Sequence, residues 1–420
     1  MDIFDLLGEN FEDKNERIKD QYEPNDLLGE DGWLDIPTFL WDHLNTIYDK
    51  HQIRTLINRA VFENNLEPPY KLFTEDVLWE DFDNLRHRDF NFLIESEKWY
   101  LPTAIREMVQ EDFVYQGNPY IIHRNTTGLK TSDNFSQKVR WLATNRDNKG
   151  MTRTWESEKM LYYIWNAIWG LKIDELNRSQ ARACLRMRKY MASQFRPTTA
   201  KFLYDNFQAK RVLDPSAGWG DRLSGFLASG NTEHYVGIDP NTQMHPCYQK
   251  QFDFYSQRVK GKKADFICSG SEHADLSDYK EYFDFCFTSP PYFDAERYSL
   301  EETQSFHQYQ TVDKWLQGFL FPSLENCWNS LAEGGRMAIN IIDVYVDPKK
   351  YTAELCVPML EFMKTMPNAH YEGVIGYQIA QRKMSRATRS DLNSPMAEPI
   401  WVWCKGKADK PLFLQEDPWF

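Results

Sequence analysis

From about residue 195 onward, short apolar runs alternate with stretches of helical spacing, a pattern that predicts a parallel sheet wound by helices on both faces. Seven runs read as strands: "RVLDP", "EHYVGIDP", "ADFICSG", "FDFCFTS", "GRMAINIID", "YEGVIGYQI" and "EPIWVWCKG". Helices are expected between the first five, including "TVDKWLQGFLFPSLENCWNSLAEGG" and another near 349–365, and the last two strands close as a hairpin-like pair. Upstream, residues 35–120 carry Trp, Phe, Tyr and Leu at helical spacing, which predicts a packed helical core without chemistry of its own.

Residues 124–155 differ in kind, with seven Lys or Arg against two Asp, interleaved with Phe135, Trp141 and Trp155. Cations for phosphates and flat rings for bases suit a nucleic-acid surface, and Arg140 and Arg146 are the candidates; a solvated polar loop has the same composition. Arg178, Arg182 and Arg186 recur every fourth residue, one basic stripe on a predicted helix. Between the sixth and seventh strands, "QRKMSRATRSDLNSP" offers Arg382, Lys383, Arg386 and Arg389 for phosphate contact, or forms a polar hairpin tip.

A net charge of −13 looks hostile to nucleic acid, but residues 1–50 hold 14 acidic against 4 basic residues and so carry −10 of it, leaving −3 for the rest. Domains are accordingly expected as an acidic head at 1–34, loosely ordered and a candidate protein-docking segment; a mainly helical block at 35–190, a candidate nucleic-acid recognition domain; a sheet domain at 191–410; and a tail at 411–420. The head repeats "DLLGEN" as "DLLGED", too little for a repeat architecture. The seven cysteines stand singly without a C-x-x-C pair, so no metal site is expected and a reducing compartment is. No apolar run approaches bilayer length and no signal-peptide pattern opens the chain, which predicts a soluble, cytoplasmic protein.

Two loops carry the candidate chemistry. "DPSAGWG" follows the first strand and opens a helix, placing Gly218 and Gly220 where the backbone must turn tightly beside a ligand. Asp239 ends the next strand about 20 residues on, where an acid can take both hydroxyls of a ribose; the third glycine of a dinucleotide site is missing. "TSPPY" ends the fourth strand, with prolines that stop a ladder and hold a carbonyl forward.

Together these residues resemble the S-adenosylmethionine-dependent methyltransferases, and the resemblance implies a Rossmann-like, seven-stranded class I methyltransferase domain over about 190–405. It implies a cofactor site at Asp214, Pro215, Ser216, Ala217, Gly218, Gly220 and Asp239, with Ser269 or Ser271 near the adenine and Arg196 or Thr198 on the methionine carboxylate. Ser289, Pro290, Pro291 and Tyr292 resemble the D/N/S-P-P-Y/W tetrad of enzymes that methylate exocyclic amines. The amine lone pair is delocalised into the ring; Ser289 and the Pro290 carbonyl would accept its hydrogens and free it for in-line attack, while Tyr292 stacks on a flipped base. Serine at the first position resembles the cytosine-N4 enzymes more than the adenine-N6 ones, and the order of the motifs differs from that of many permuted cytosine-N4 enzymes. DNA is the implied partner, protecting or regulating a genome in a restriction-modification or similar setting. RNA or protein-amide methylation, or a non-catalytic protein with this fold, are the alternatives. Asp294 and Glu296 either order the cleft or cap the next helix.

Overall fold

A computed structural model describes residues 21–90, 94–96, 99, 120–145, 149–347, 351–379 and 395–407. The chain forms two compact units, residues 1–72 with 141–191, and residues 73–140 with 192–420. The single helical block expected at 35–190 is therefore divided, because helices inside it carry apolar faces for two different cores.

In the first unit, Leu27, Trp33, Leu34 and Ile36 are buried with Leu44, Ile57, Trp155, Trp165 and Ile168. Residues 21–36 are thus not a loose head: backbone bridges pair Leu28 with Leu34 and Ile36 with Leu176. Asp49 starts the helix Lys50–Glu63 by accepting from the His51 and Gln52 amides, while Gln52 returns a bond to the Asp49 amide, a capping box. Two of the three cations in the expected basic stripe are spent internally, and Arg186 is exposed. Arg178 lies 4.7 Å from the Trp33 ring centroid beside Asp31, and Arg182 donates to the Pro69 carbonyl.

The second unit holds a nine-stranded sheet. Its strands in chain order are β1 (Ile94–Ser96), β2 (Tyr120–Ile122), β3 (Arg211–Asp214), β4 (His234–Ile238), β5 (Lys263–Ile267), β6 (Phe283–Thr288), β7 (Leu331–Asn340), β8 (Ala369–Gln378) and β9 (Ala397–Lys405). They lie in the order β1-β2-β8-β9-β7-β6-β3-β4-β5. All seven strands read from the sequence are present in the Rossmann-like arrangement expected. Strands β5, β4, β3, β6 and β7 run parallel, and β9 lies antiparallel between β7 and β8. The centres of the inner parallel strands are apolar, as Val212, Leu213, Val236, Phe285 and Phe287 show, because helices cover both faces. Strands β1 and β2 extend the sheet from a segment with no strand expected: Ile121 pairs with Gly376.

The long helix before β7 contains a π turn at Leu316–Leu320. Pro322 has no amide hydrogen to give the Gly318 carbonyl, so the ladder widens by a residue. Among the described residues, no helix is long and apolar enough to cross a membrane.

Candidate active site

The sheet defines where a ligand can sit. From β3 the chain winds outward through β4 and β5, then returns to lay β6 on the other side of β3, so the crossovers leaving these neighbours diverge and open a crevice at their carboxyl ends. A cavity of about 340 Å³ occupies that crevice. Pro215, Ser216, Ala217 and Gly218 line it after β3, Asp239 after β4, and Ser289, Pro290, Pro291 and Tyr292 after β6. Two loops separated by some seventy residues thus meet in one hollow.

The loop after β3 depends on left-handed backbone at Gly218 (φ +59°) and Gly220 (φ +80°). A Cβ on Gly220 would also lie 2.3 Å from Gln251 Oε1, whose amide group donates to the Gly220 carbonyl. Gly220 therefore shapes the turn into helix Asp221–Ala228 without lining the cavity. Asp214 is likewise structural: it is fully buried, ion-paired with Arg222 at 2.8 Å and accepting from Tyr235 at 2.6 Å, and it does not reach the cavity. Burial opposes the charge on Arg222, but Asp214 more than offsets this and raises its pKa.

Asp239 accepts from the Asn241 and Gly218 amides, both at 2.9 Å, which leaves each carboxylate oxygen a further lone pair. Burial raises its pKa to about 6. Ser269 does not line the cavity; its hydroxyl donates to the Gly270 carbonyl, and the lining there is Gly270, Ser271 and Glu272. Glu272 Oε2 is buried without a hydrogen-bond partner among the described residues. Thr198 is turned away, its hydroxyl 3.5 Å from the Asn125 carbonyl. Arg196 does not line the cavity; it lies 4.4 Å from the ring centroid of Tyr377, a lining residue, and its buried Nη1 has no partner among the described residues. Burial lowers the Arg196 pKa.

At the end of β6 the Tyr292 hydroxyl donates to Glu398 at 3.1 Å, and burial raises the Tyr292 pKa well above its ordinary value. Glu398, on β9, has its own pKa raised by burial to about 7. Phe293, next in the chain, holds a left-handed backbone (φ +53°) although it is not glycine, a strained conformation that re-aims the chain just past the tetrad. Glu296 lines the cavity and accepts from Tyr298, so it belongs to the cleft and not to a helix cap. Sequence reading missed Glu398, Glu272, Asn340 and Tyr377. For Glu398 there was a signal, a carboxylate within the otherwise apolar run "AEPIWVWC".

The lining is acidic, with Asp221, Asp239, Glu272, Glu296 and Glu398, while Arg222 is already neutralised by Asp214. Such a lining favours a cationic ligand. Of the expected nucleic-acid residues, Arg140 does not join it. Arg140 is 2% exposed, paired with Asp133 at 2.5 Å and donating to the Ala192 carbonyl, so it holds the fold and is not a surface cation. Its helix, Leu129–Arg140, packs a polar face on helix Asp221–Ala228 through Thr131 to Ser224 and Ser132 to Asp221. Phe135, Trp141 and Trp155 pack within their own cores against Phe254, Tyr70 and Trp33. Arg146, Arg382, Lys383, Arg386 and Arg389 lie outside the described residues.

No protein-family model matches the sequence, and no curated protein matches it. Among solved structures, the chain is similar to an rRNA methylase from Streptococcus thermophilus, at 14% identity over 51% of this chain and 100% of that one, with a TM-score of 0.30. It is also similar to a SAM-dependent O-methyltransferase from Thermotoga maritima, at 12% identity over 52% and 69% of the two chains with a TM-score of 0.31, and to a SAM-dependent methyltransferase from Methanosarcina mazei, at 12% over 51% and 99% with a TM-score of 0.32.

Proposed function

We propose that the cavity binds S-adenosylmethionine and that the protein methylates an exocyclic amino group of a base in DNA, cytosine N4 in preference to adenine N6. The observation that carries this reading is the convergence of the glycine loop after β3, Asp239 after β4 and the Ser-Pro-Pro-Tyr tetrad after β6 on one acid-lined cavity. The residues present fit the cofactor. Asp239 has lone pairs free for two ribose hydroxyls, and the unpartnered Glu272 Oε2 suits the adenine amine. The acidic lining suits a sulfonium.

When bound, the cofactor supplies an electrophilic methyl group on a sulfonium. The chain's own residues prepare the nucleophile. Ser289 Oγ and the Pro290 carbonyl accept the two amine hydrogens, drawing the nitrogen toward tetrahedral geometry and freeing its lone pair. S-adenosylmethionine held there would supply the methyl group to that nitrogen and leave as the neutral thioether, and the amine proton would pass to solvent water. The Tyr292 ring offers a face for the extruded base, while its hydroxyl is held by Glu398. No covalent bond to the protein is needed.

Incubation with methyl-labelled S-adenosylmethionine and DNA, RNA or protein, followed by digestion and mass spectrometry, tests this. Label on the N4 of deoxycytidine is expected. Label confined to RNA or protein moves the substrate to that polymer, and label on none of them refutes the enzyme.

A further inference from the structure

We propose that Gln304 determines which nucleoside the cavity accepts, its side-chain amide donating to the adenine ring nitrogen beside the amine that Glu272 receives. The proposal deepens the cofactor reading above and rests on it. The adenine edge is distinctive, because its 6-amino donor is flanked by two acceptors, N1 and N7. An ionised Glu272 offers acceptors only and would take any amine, so selection of adenine needs a donor beside it.

Gln304 supplies that donor. It lines the same cavity, is 6% exposed, and its Nε2 has no hydrogen-bond partner among the described residues. Glu272 is its counterpart: the side chain is 2% exposed, and Oε2 is likewise unpartnered. A buried donor and a buried acceptor left open in one hollow are costly until a ligand satisfies both, and the adenine edge presents the complementary pair.

The chain holds both groups at the end of the cavity where the proposed ribose acid stands. Past the tetrad, residues 301–309 are tied to the loop after β4. Glu301 accepts from the Thr242 amide at 3.1 Å and from the Thr242 hydroxyl, and the Thr303 hydroxyl donates to the Pro240 carbonyl at 3.4 Å, next in the chain to Asp239. The same segment is tied to the loop after β5, where the Tyr309 hydroxyl donates to Glu272 Oε1 at 3.5 Å and so leaves Oε2 as the open oxygen. Between these ties Gln304 starts the short helix Ser305–Gln308, yet its side chain makes no capping bond. Its backbone is committed instead, the amide donating to the Glu301 carbonyl at 3.1 Å and the carbonyl accepting from His307 at 2.9 Å and Gln308 at 3.2 Å. The residue is thus fixed while its side-chain amide stays available to a ligand. Pro240, Met244 and Phe319, also in the lining, offer apolar surface for the faces of a purine.

The test is calorimetric binding of S-adenosylhomocysteine, and of its 1-deaza and 7-deaza forms, to the full chain. Wild-type protein should bind one of the two deaza ligands about tenfold more weakly than the parent. Gln304→Leu should bind the parent about tenfold more weakly, and that deaza ligand no more weakly than wild type does, because the bond it lacks is the one Gln304 makes. Comparing ligands within one protein cancels any loss that comes from altered folding. Wild-type protein indifferent to both replacements, or a Gln304→Leu protein that is unchanged or weakened equally for all three ligands, overturns the proposal and leaves the cofactor reading intact. Wild-type protein that binds neither S-adenosylhomocysteine nor S-adenosylmethionine overturns both.

Discussion

Asp239→Asn separates the charge of the proposed ribose acid from its shape. Raising this carboxyl from 3.8 to about 6 corresponds to about 3 kcal/mol at roughly 1.36 kcal/mol per pH unit. Because the folded value is the higher one, protonation contributes stability that is fully present below about 3.8 and lost as pH rises through about 6. Ribose hydroxyls need the ionised form as acceptor. Affinity for S-adenosylmethionine should therefore rise with pH up to about 6 and flatten above, being about tenfold weaker at pH 5 than at pH 8. Asn at 239 keeps one acceptor but turns an NH₂ toward the Gly218 or Asn241 amide, each of which now donates to the carboxylate at 2.9 Å. It should bind roughly 10- to 100-fold more weakly at pH 8, and without the step near pH 6. Isothermal calorimetry of both proteins from pH 5 to 8 reads this directly, since titration of the ligand itself is common to the two. Wild-type affinity within twofold across that range, or an identical pH dependence in the variant, would refute the role of the Asp239 charge.

Arg140→Ala should cost about 3–5 kcal/mol in urea unfolding by removing the guanidinium that pairs with the buried Asp133, while leaving DNA affinity per folded molecule unchanged; a stable variant with weakened DNA binding would restore the surface reading of Arg140. Gly220→Ala should lower stability by about 1–3 kcal/mol, from its φ of +80° and the overlap with Gln251, and an unchanged midpoint would show that the turn relaxes freely. Arg222→Met should cost about 3–5 kcal/mol by leaving Asp214 buried without its partner, seen as a lower Tm; no shift would mean that Tyr235 alone satisfies the carboxylate.

What could be read from the sequence was what neighbours in the chain encode. Apolar runs with a glycine or proline at their ends identify β3 to β9, and the residues just beyond β3, β4 and β6 line the cavity, because parallel strands put all their carboxyl ends on one side. Glu398 and Asn340 reach the site through the pairing of β9 with both neighbours, where Glu398 faces Tyr377 of β8 and Ile400 faces Asn340 of β7, and no local pattern announces such a register. Asp214 carried the wrong expectation for a related reason: its partner Arg222 lies in the first turn of the helix after the loop, and the ion pair draws the carboxylate inward. The stretch at 124–140 misled because polarity usually means solvent, yet Thr131, Ser132, Asp133, Ser136, Gln137 and Arg140 are all buried and satisfy one another or the helix Asp221–Ala228.

The chain passes from the first unit to the second after Leu72, back at Trp141, and out again after Met191. That threading has a consequence for synthesis on a ribosome. Residues 73–140 emerge early, but Trp79 and Phe82 must wait for Phe254 and Tyr255, and Ile121 for Gly376, 255 residues later. At roughly 5–20 residues per second the longer delay is about 13–50 s, with the edge of β2 uncovered throughout and the aromatic side chains for the earlier part of it. The nascent protein should thus depend on holding factors more than a linear two-domain chain of equal length would, and no single cut can release either unit whole.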